Sequence, residues 1–476
     1  MLQRIIHNSI VLVFISLFLW GCKTTNNAIK TENKTVPKSY GNLQDSINTA
    51  NVSWKVYFSD SDLSSLIDSA LKNNQELNII LQEIQINKNE IRARKGEYLP
   101  FVGLRGGTGI EPVPRYTWRG AVEDNLDVKT KKEVLESNSD FYLGAFASWE
   151  LDVWKKLRNA KKSATMRYLS SIEGKNFMVT NLVKEIANSY YELMALDNHL
   201  NIVEKNIEIQ SDALQMVKQL KDAAKVTQLA VNRFEAQLLN TMNLQYEIKQ
   251  SIIETENKLN FLAGRFPQPI KRNSTAFINM GIDTVYTGIP SQLLSNRTDV
   301  RQAELLLAAS KLDIKVARAN FYPSFRIQGG AGFQAFNPTF LINPQSLLYS
   351  LAGDLMAPLI NRNAIKALYY NANAKQIQSV YNYEQTILKA YIDVVNQQSK
   401  KSNFLKSFNT KSKEVEILEQ SITISNNLFR SARADYIEVL TTQREVLASK
   451  LELIEIKTMQ MNAKVSIYQA LGGGWK

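Results

Sequence analysis

The sequence contains very few residues of the kinds that build disulfides and metal sites. Its 476 residues include 1 cysteine and 2 histidines. A single cysteine excludes an internal disulfide, and so small a supply of thiol and imidazole groups excludes a zinc site made of cysteine and histidine. The same scarcity leaves little material for histidine-based catalysis.

Proline and glycine are missing from two long stretches. No proline occurs in 115–266 or in 359–476, and Gly174 is the one glycine within 155–263. These residue types are the strongest breakers of helices, so their absence predicts two regions of very long helices. The sequence also lacks any later run of about 18 apolar residues, which argues against a transmembrane helix.

The first residues have the pattern of an export signal. An apolar core over 10–20 is followed by Cys22, and the segment resembles a bacterial lipobox, in which the cysteine carries lipid. We therefore expect a lipoprotein signal peptide over 1–21 and a lipidated tether over 22–46. The alternative is a plain secretory signal followed by an incidental cysteine.

Two pairs of strands are predicted from apolar residues at every second position. In 141–153 the odd positions are apolar and the even positions largely polar, which is typical of a strand with one face of each kind. Its predicted partner is 101–110, beyond a polar loop. A second pair is predicted at 325–336 and 347–359, and apolar residues at helical spacing predict helices over 61–96 and 299–320.

The order helix, strand, loop, strand, long helices therefore occurs twice. A heptad of apolar residues in the last long helical region recurs in the first at an offset of 209, with one polar exception. We interpret the chain as a duplication, with a first repeat over 47–264, a linker over 265–288 and a second repeat over 289–476. The heptads lapse around 221–225 and 430–433, which predicts that each long region folds into a helical hairpin.

The strand count restricts how the chain could span a membrane. Two strand pairs leave open edges, and an open edge in lipid leaves backbone groups without hydrogen bonds. Several chains must therefore close one barrel, and three chains would supply twelve strands. Long helices continuing from such a barrel make a conduit.

Six motifs resemble those of the TolC-like outer-membrane efflux proteins, in their lipoprotein branch, and they occur in the family's order. They are SWELDVW (148–154), IPSQLLSNRTDVRQAE (289–304), ARANFYPSF (317–325), APLINRN (357–363), SARADYIEVLTTQ (431–443) and YQALGGGW (468–475). Two residues depart from the family pattern: Thr298 stands where proline is usual, and Lys155 where glycine often follows the tryptophan. We expect both to be local variations at the ends of elements.

The resemblance implies a fold that is mainly α with β: a long coiled-coil α-helical barrel, and four strands per chain in a trimeric 12-stranded transmembrane β-barrel. It implies a homotrimeric exit duct in the outer membrane of a Gram-negative bacterium. The duct would work with a periplasmic adaptor and an inner-membrane pump to export small molecules. It also implies no catalysis, no metal and no cofactor other than the lipid on Cys22.

The candidate site residues lie at the two hairpin tips. Glu438 occupies a position where the family often has an acid, and with Asp435 it would form rings of carboxylates at a periplasmic constriction, although both also fit solvated helix-face acids. The small residues of the tips are candidate adaptor contacts or simple hairpin packing: Ala223, Ala224, Ala432 and Ala434.

Other functions fit the sequence less well. The 57 basic and 45 acidic residues give a net charge of +12, but they interleave along helices, so we expect no nucleic-acid binding. A periplasmic adaptor or coiled-coil scaffold lipoprotein is the main alternative, although such proteins normally carry one hairpin flanked by compact β-domains. An enzyme is disfavoured because no nucleophile–base or metal constellation is present. The sequence leaves the identity of the exported molecules open.

Overall fold

The fold was analysed in a computed structural model of the chain. It describes residues 29–40, 47–112, 114, 116–123, 127–129, 132–133, 137–281, 285–431 and 433–475. The predicted signal peptide, Cys22 and Ala432 lie outside the described residues.

The described chain is built mostly of helices with one principal sheet. The helices are α1 (Trp54–Tyr57), α2 (Ser61–Asn73), α3 (Gln75–Tyr98), α4 (Trp118–Glu123), α5 (Lys156–Asp222), α6 (Gln228–Leu262), α7 (Leu293–Asn296), α8 (Thr298–Ala319), α9 (Asn363–Arg430) and α10 (Tyr436–Ala470). The strands are β1 (Phe101–Pro112), β2 (Asp127–Lys129), β3 (Lys132–Glu133), β4 (Ser137–Leu151), β5 (Ser324–Ala335) and β6 (Leu347–Met356). Short 3₁₀ turns occupy Thr49–Asn51, Ser274–Asn279, Pro290–Gln292, Pro338–Phe340 and Pro344–Ser346.

The predicted helices are confirmed in type, with one difference in number. The helix expected over 61–96 is two helices, α2 and α3, which meet at Asn74. The Asn74 side chain explains the break, because its oxygen accepts a hydrogen bond from the Leu77 amide at 2.9 Å and so caps the new helix. Both long helical regions are interrupted near the predicted tips, between α5 and α6 and between α9 and α10.

The principal sheet is antiparallel, with strand order β1-β4-β5-β6. All four predicted strands are present, with ends shifted by at most four residues. The segment between β1 and β4, expected to be an exposed loop, instead contains α4 and the small β2–β3 ladder. The two central strands pair over eleven residues, from Phe141 with Ala335 to Leu151 with Phe325. This pairing joins the two halves of the chain in one sheet.

The chain divides into two compact units, and each draws on both halves of the sequence. One comprises Gln85–Leu169 and Leu305–Tyr381 with the described residues up to Thr31, and the other comprises Glu32–Ile84, Ser170–Glu304 and Asn382–Lys476. Among the described residues, no helix has the length and apolarity needed to cross a membrane.

The second unit has its main core around stacked aromatic rings. Tyr57 and Tyr468 stack with ring centroids 4.1 Å apart, and both hydroxyls donate to backbone oxygens, of Lys464 at 2.7 Å and Val52 at 2.6 Å respectively. Tyr190 is fully buried and donates to Asp60, whose carboxylate also caps α2. Burial and the adjacent Asp60 raise the pKa of Tyr190 well above its ordinary value. Each of these three tyrosine hydroxyls is thus paired, as burial of a polar group requires.

Candidate functional site

The sheet of the first unit has two chemically different faces. On one face the described positions of the four strands are mainly apolar, among them Val102, Leu104, Phe141, Leu143, Phe325, Phe333, Leu347, Tyr349 and Leu351. On the other face polar groups pair across strands. Gln334 donates to Asp140 at 2.9 Å and Gln328 donates to Asp354 at 3.0 Å. The alternation predicted for β4 therefore extends across all four strands.

The polar face combines aromatic rings with glycines. Phe146 lies opposite Gly103 and Tyr142 opposite Gly107, and a Cβ added to either glycine would meet the facing ring at 2.8 Å or less. Aromatic side chains therefore fit on this face because their cross-strand partners have no side chain. Sequence reasoning found the strands but gave these glycines no role.

Both ends of the hydrogen-bonded sheet are open. Within the described residues, β1 and β6 each pair with one neighbour and form the two edges. Every residue of β6 is exposed, including Tyr349 at 80% and Leu351 at 83%. A long exposed apolar edge strand is a surface prepared for pairing with another strand.

The candidate acids lie together at the start of α10. Asp435 directly precedes the helix and Glu438 is in its first turn, where the helix dipole favours negative charge. Both side chains are exposed, and neither forms an ion pair with another side chain in the described part of the chain. The structure therefore leaves these carboxylates accessible to solvent.

The two hairpin tips pack on a shared apolar cluster. Leu214, Val217 and Phe234 of the first hairpin form its centre, and Tyr436 and Leu440 of the second pack against it. The candidate contact residues lie around it. Ala223 and Ala224 are exposed, and Ala434 is partly exposed. The first tip turns at Ala224, which has φ +57°.

A buried arginine fixes the start of the second repeat. Arg297 is 3% exposed and its guanidinium contacts Asp299 at 2.7 Å, Asp393 at 3.1 Å and the Ala470 carbonyl at 3.3 Å. Burial opposes the charge, but these two carboxylates more than offset it, so the pKa of Arg297 is raised. The arginine thereby ties three distant segments together.

A second arginine anchors the predicted linker. Arg272 contacts Asp197 on α5 at 2.6 Å and Glu256 on α6 at 2.5 Å. Its hydrogen bonds to Asp197 are the main reason that its pKa is raised, and Ser274 also donates to that carboxylate. The first hairpin therefore holds the segment that follows it.

The amino-acid sequence of the chain matches a known protein family. The family described as "Outer membrane efflux protein" matches residues 66–265 and again residues 289–473. The chain belongs to the outer membrane efflux protein family. The resemblance expected from the six motifs is thus confirmed, and so is the mainly helical fold with four strands.

Relatives of the outer membrane efflux protein family cover nearly the whole chain. The solvent efflux pump outer membrane protein SrpC of Pseudomonas putida is 26% identical over 442 residues, 92% of this chain and 91% of SrpC. The probable outer membrane lipoprotein SilC of Salmonella typhimurium is 24% identical over 477 residues, 98% of each chain. The CmeC outer membrane channel of Campylobacter jejuni is similar in fold, with a TM-score of 0.84 over 95% of this chain, 94% of that chain and 18% identity.

The two departures from the family pattern have clear structural meanings. Lys155 adopts φ +60°, a left-handed conformation in which glycine is unstrained. Thr298 is the first residue of α8, the helical position that proline favours. Both residues lie at the ends of elements, as expected. The first places a lysine in a costly backbone conformation.

The described residues show little that points to metal chemistry. No group of three or more histidine, cysteine, aspartate or glutamate side chains in the described part of the chain is arranged to hold a metal ion. His199 lies where α5 meets α10, with its Nε2 3.1 Å from the Leu451 carbonyl. Burial lowers the pKa of His199. This contact gives His199 a packing role between the two helices.

Proposed function

We propose that this protein is the outer-membrane exit duct of a tripartite efflux pump and that three copies form one conduit. The observation that carries the proposal is the sheet with one apolar face, one polar face and two open edges. In lipid such edges must be paired, because unpaired backbone groups there are costly. Pairing of β1 in one copy with β6 in the next satisfies both edges.

The two faces determine which side of a closed sheet meets lipid. The apolar positions, such as Leu104 and Leu351, face lipid, and the hydrogen-bonded polar positions, such as Gln328 and Asp354, line a wet interior. Three copies supply twelve strands. The family relationship supports placing this conduit in the outer membrane.

Cysteine cross-linking tests the edge pairing directly. The native chain has a single cysteine, which we propose is blocked by lipid, so engineered thiols give clean signals. Leu104→Cys on β1 is combined in turn with Leu347→Cys, Tyr349→Cys and Leu351→Cys on the same face of β6. We expect at least one pair to give disulfide-linked dimers and trimers in outer-membrane fractions. Monomers from all three pairs, or a chain that fractionates with the inner membrane, would refute the proposal.

Lipid attachment at Cys22 is part of the proposal. The relative SilC is named as a probable outer membrane lipoprotein, and Cys22 follows an apolar signal core. Metabolic labelling with a palmitate analogue should mark the wild-type protein and not the Cys22→Ser variant. Equal labelling of both would exclude this cysteine as the acceptor.

The helical hairpins extend the proposal to a gate and an adaptor. In a trimer, Asp435 and Glu438 would each form a ring of three exposed carboxylates, which attracts cations at a constriction. The small tip residues, such as Ala223 and Ala434, would let adaptor helices approach closely. In planar bilayers, Glu438→Gln should lower cation selectivity, whereas Glu445→Gln, farther along α10, should not. Identical recordings for wild type and both variants would show that the first-turn acid does not act on the ion path.

A further inference from the structure

The polar face of the sheet carries a pocket that the duct function does not explain. It has a volume of about 330 Å³ and lies over the middle of all four strands. Its floor is made of glycines from the two central strands, Gly144, Gly330 and Gly332. Its walls are Tyr142 and Phe146 on one side and Ser350 of β6 on the other.

The floor is glycine for a geometric reason. Gly144 and Gly332 face each other across β4 and β5, and a Cβ on Gly332 would lie 2.5 Å from the Gly144 Cα. Side chains at these two positions would collide with the facing backbone, so the strands approach this closely only because both residues lack one. The bare backbone of these glycines leaves room for a ligand over the centre of the sheet.

The rim of the pocket carries a cation. Arg105 pairs with Gly144 in the register, and its guanidinium carbon lies 5.2 Å from the centroid of the Tyr142 ring. Among the side chains that the structure describes, none forms an ion pair with Arg105. The arginine is therefore held over an aromatic ring with hydrogen-bond donors still available.

We propose that this pocket binds small aromatic carboxylates. The ring of the ligand lies on the glycine floor between Tyr142 and Phe146, and its carboxylate accepts hydrogen bonds from Arg105. The inference deepens the proposed function, on which it rests in one respect: the polar face must line the conduit for cargo to reach it. The pocket would then be a contact for organic anions on their way out.

Arg326 provides a matched control for the charge. It is an exposed arginine on the same face of the sheet, but its guanidinium lies 4.0 Å from the Glu150 carboxylate and outside the pocket. Replacing either arginine removes one positive charge from that face. A difference between the two variants therefore reports on position and not on net charge.

The test uses the full chain in lipid nanodiscs and three probes of one size: benzoate, benzyl alcohol and benzylammonium. Isothermal titration should show benzoate binding most tightly, with an affinity at least about 10-fold lower for Arg105→Gln and unchanged for Arg326→Gln. Ser350→Trp, which fills the pocket, should abolish benzoate binding. Circular dichroism and the oligomer band on gels establish that each variant is folded.

Any of three results would refute the proposed binding site. They are equal benzoate affinity of the Arg105→Gln and Arg326→Gln variants, unchanged benzoate binding by Ser350→Trp, and equal affinity of the wild-type protein for benzoate and benzylammonium. Single-channel recording separates this outcome from failure of the duct. Benzoate should reduce the wild-type current and leave that of Arg105→Gln unchanged. If benzoate binds with the expected specificity and no channel is formed, the pocket stands and the proposed function fails.

Discussion

The long helices of the two halves have nearly equal lengths, but the side chains that hold their ends differ. The long helices α5 and α9 contain 67 and 68 residues, and α6 and α10 contain 35 each. The two halves can have equal helix lengths with different residues, because every turn of a helix repeats the same backbone geometry. The junctions show which interactions must be kept and which can be replaced.

The ends of α6 and α10 have the same backbone arrangement. Gly264 and Gly472 follow the two helices with φ values of +66° and +93°. A Cβ on Gly264 would lie 2.4 Å from the Asn73 carbonyl oxygen, and one on Gly472 would lie 2.6 Å from that of Asn296. The equivalent glycines are thus 208 apart, although the heptads suggested pairing Gly264 with Gly473. The second helix ends one residue earlier relative to its apolar seam.

The residues that follow Asn73 and Asn296 carry different side chains, which hold the helix ends in different ways. In the first half Asn74 donates to the Leu262 carbonyl at 3.0 Å, and in the second half Arg297 donates to the Ala470 carbonyl at 3.3 Å. Both cap the end of a long helix, but only the arginine brings a buried charge with carboxylate partners. The close contact of a glycine with a carbonyl is common to both halves. The side chain that caps the helix beside it is different in each half.

The largest expected effect contrasts these two caps. Arg297→Met removes a buried cation and leaves Asp299 and Asp393 without it, which should destabilise the fold by about 3–5 kcal/mol. Asn74→Ala loses one cap and one hydrogen bond and should cost about 1–2 kcal/mol. Urea unfolding of the purified protein, followed by circular dichroism, gives both values. Equal costs would mean that the charge cluster adds nothing to the cap.

The second prediction concerns the shared glycines. Gly264→Ala and Gly472→Ala each force a Cβ against a carbonyl oxygen in a left-handed conformation, so we expect about 2–4 kcal/mol of destabilisation for both. Gly96→Ala in α3 is the control, because no atom lies within 4 Å of its Cβ position. It should stabilise the helix by up to about 1 kcal/mol. Tolerance at one glycine only would disprove the equivalence of the two junctions.

A smaller effect is expected where each strand pair enters its long helix. Lys155 precedes α5 with φ +60° and Asn361 lies shortly before α9 with φ +51°. Asparagine tolerates this conformation better than lysine does. Lys155→Gly should therefore raise stability by about 0.5–1 kcal/mol and Asn361→Gly should change it little. A thermal melt distinguishes them, and destabilisation by Lys155→Gly would contradict the strain argument.

The smallest effect tests the first residues of α3 and α8. The preceding residues are extended, Asn74 at φ −59°, ψ 127° and Arg297 at φ −79°, ψ 118°, as a following proline requires. Thr298→Pro and Gln75→Pro should each be neutral or stabilising by up to about 1 kcal/mol. Ala308→Pro inside α8 should cost about 3 kcal/mol or more. A loss of that size at Thr298 would show that its position is not a true helix start.

The recurring order of elements was predictable because it depends on local patterns. Apolar residues at every second position marked the strands, and the missing prolines and glycines marked the long helices. Asn74 was harder, since a single polar residue within a helical pattern becomes a break only when its side chain caps the next helix. Lys155 carried a signal in its departure from the family's glycine, but sequence alone does not assign its backbone angle.

The candidate site was predictable only in part. Glu438 was singled out because it occupies a position where the resembled family often has an acid, and Asp435 because it lies nearby. The pocket beneath Arg105 was missed because its floor comes from two strands 188 residues apart at Gly144 and Gly332. Glycines in a strand look alike in sequence, whether they relieve a collision or shape a cavity.

The sequence by itself determined the long helices, the four strands of the principal sheet, the order and repetition of these elements, and the family. These properties follow from periodicity and from residues that exclude a conformation, which act over a few positions. Only the tertiary structure decided which glycine meets which carbonyl, and that Arg297 reaches Asp393, 96 residues away. Such contacts depend on how distant segments pack. A buried charge or carbonyl needs a partner, but the neighbouring sequence does not specify which residue that partner is.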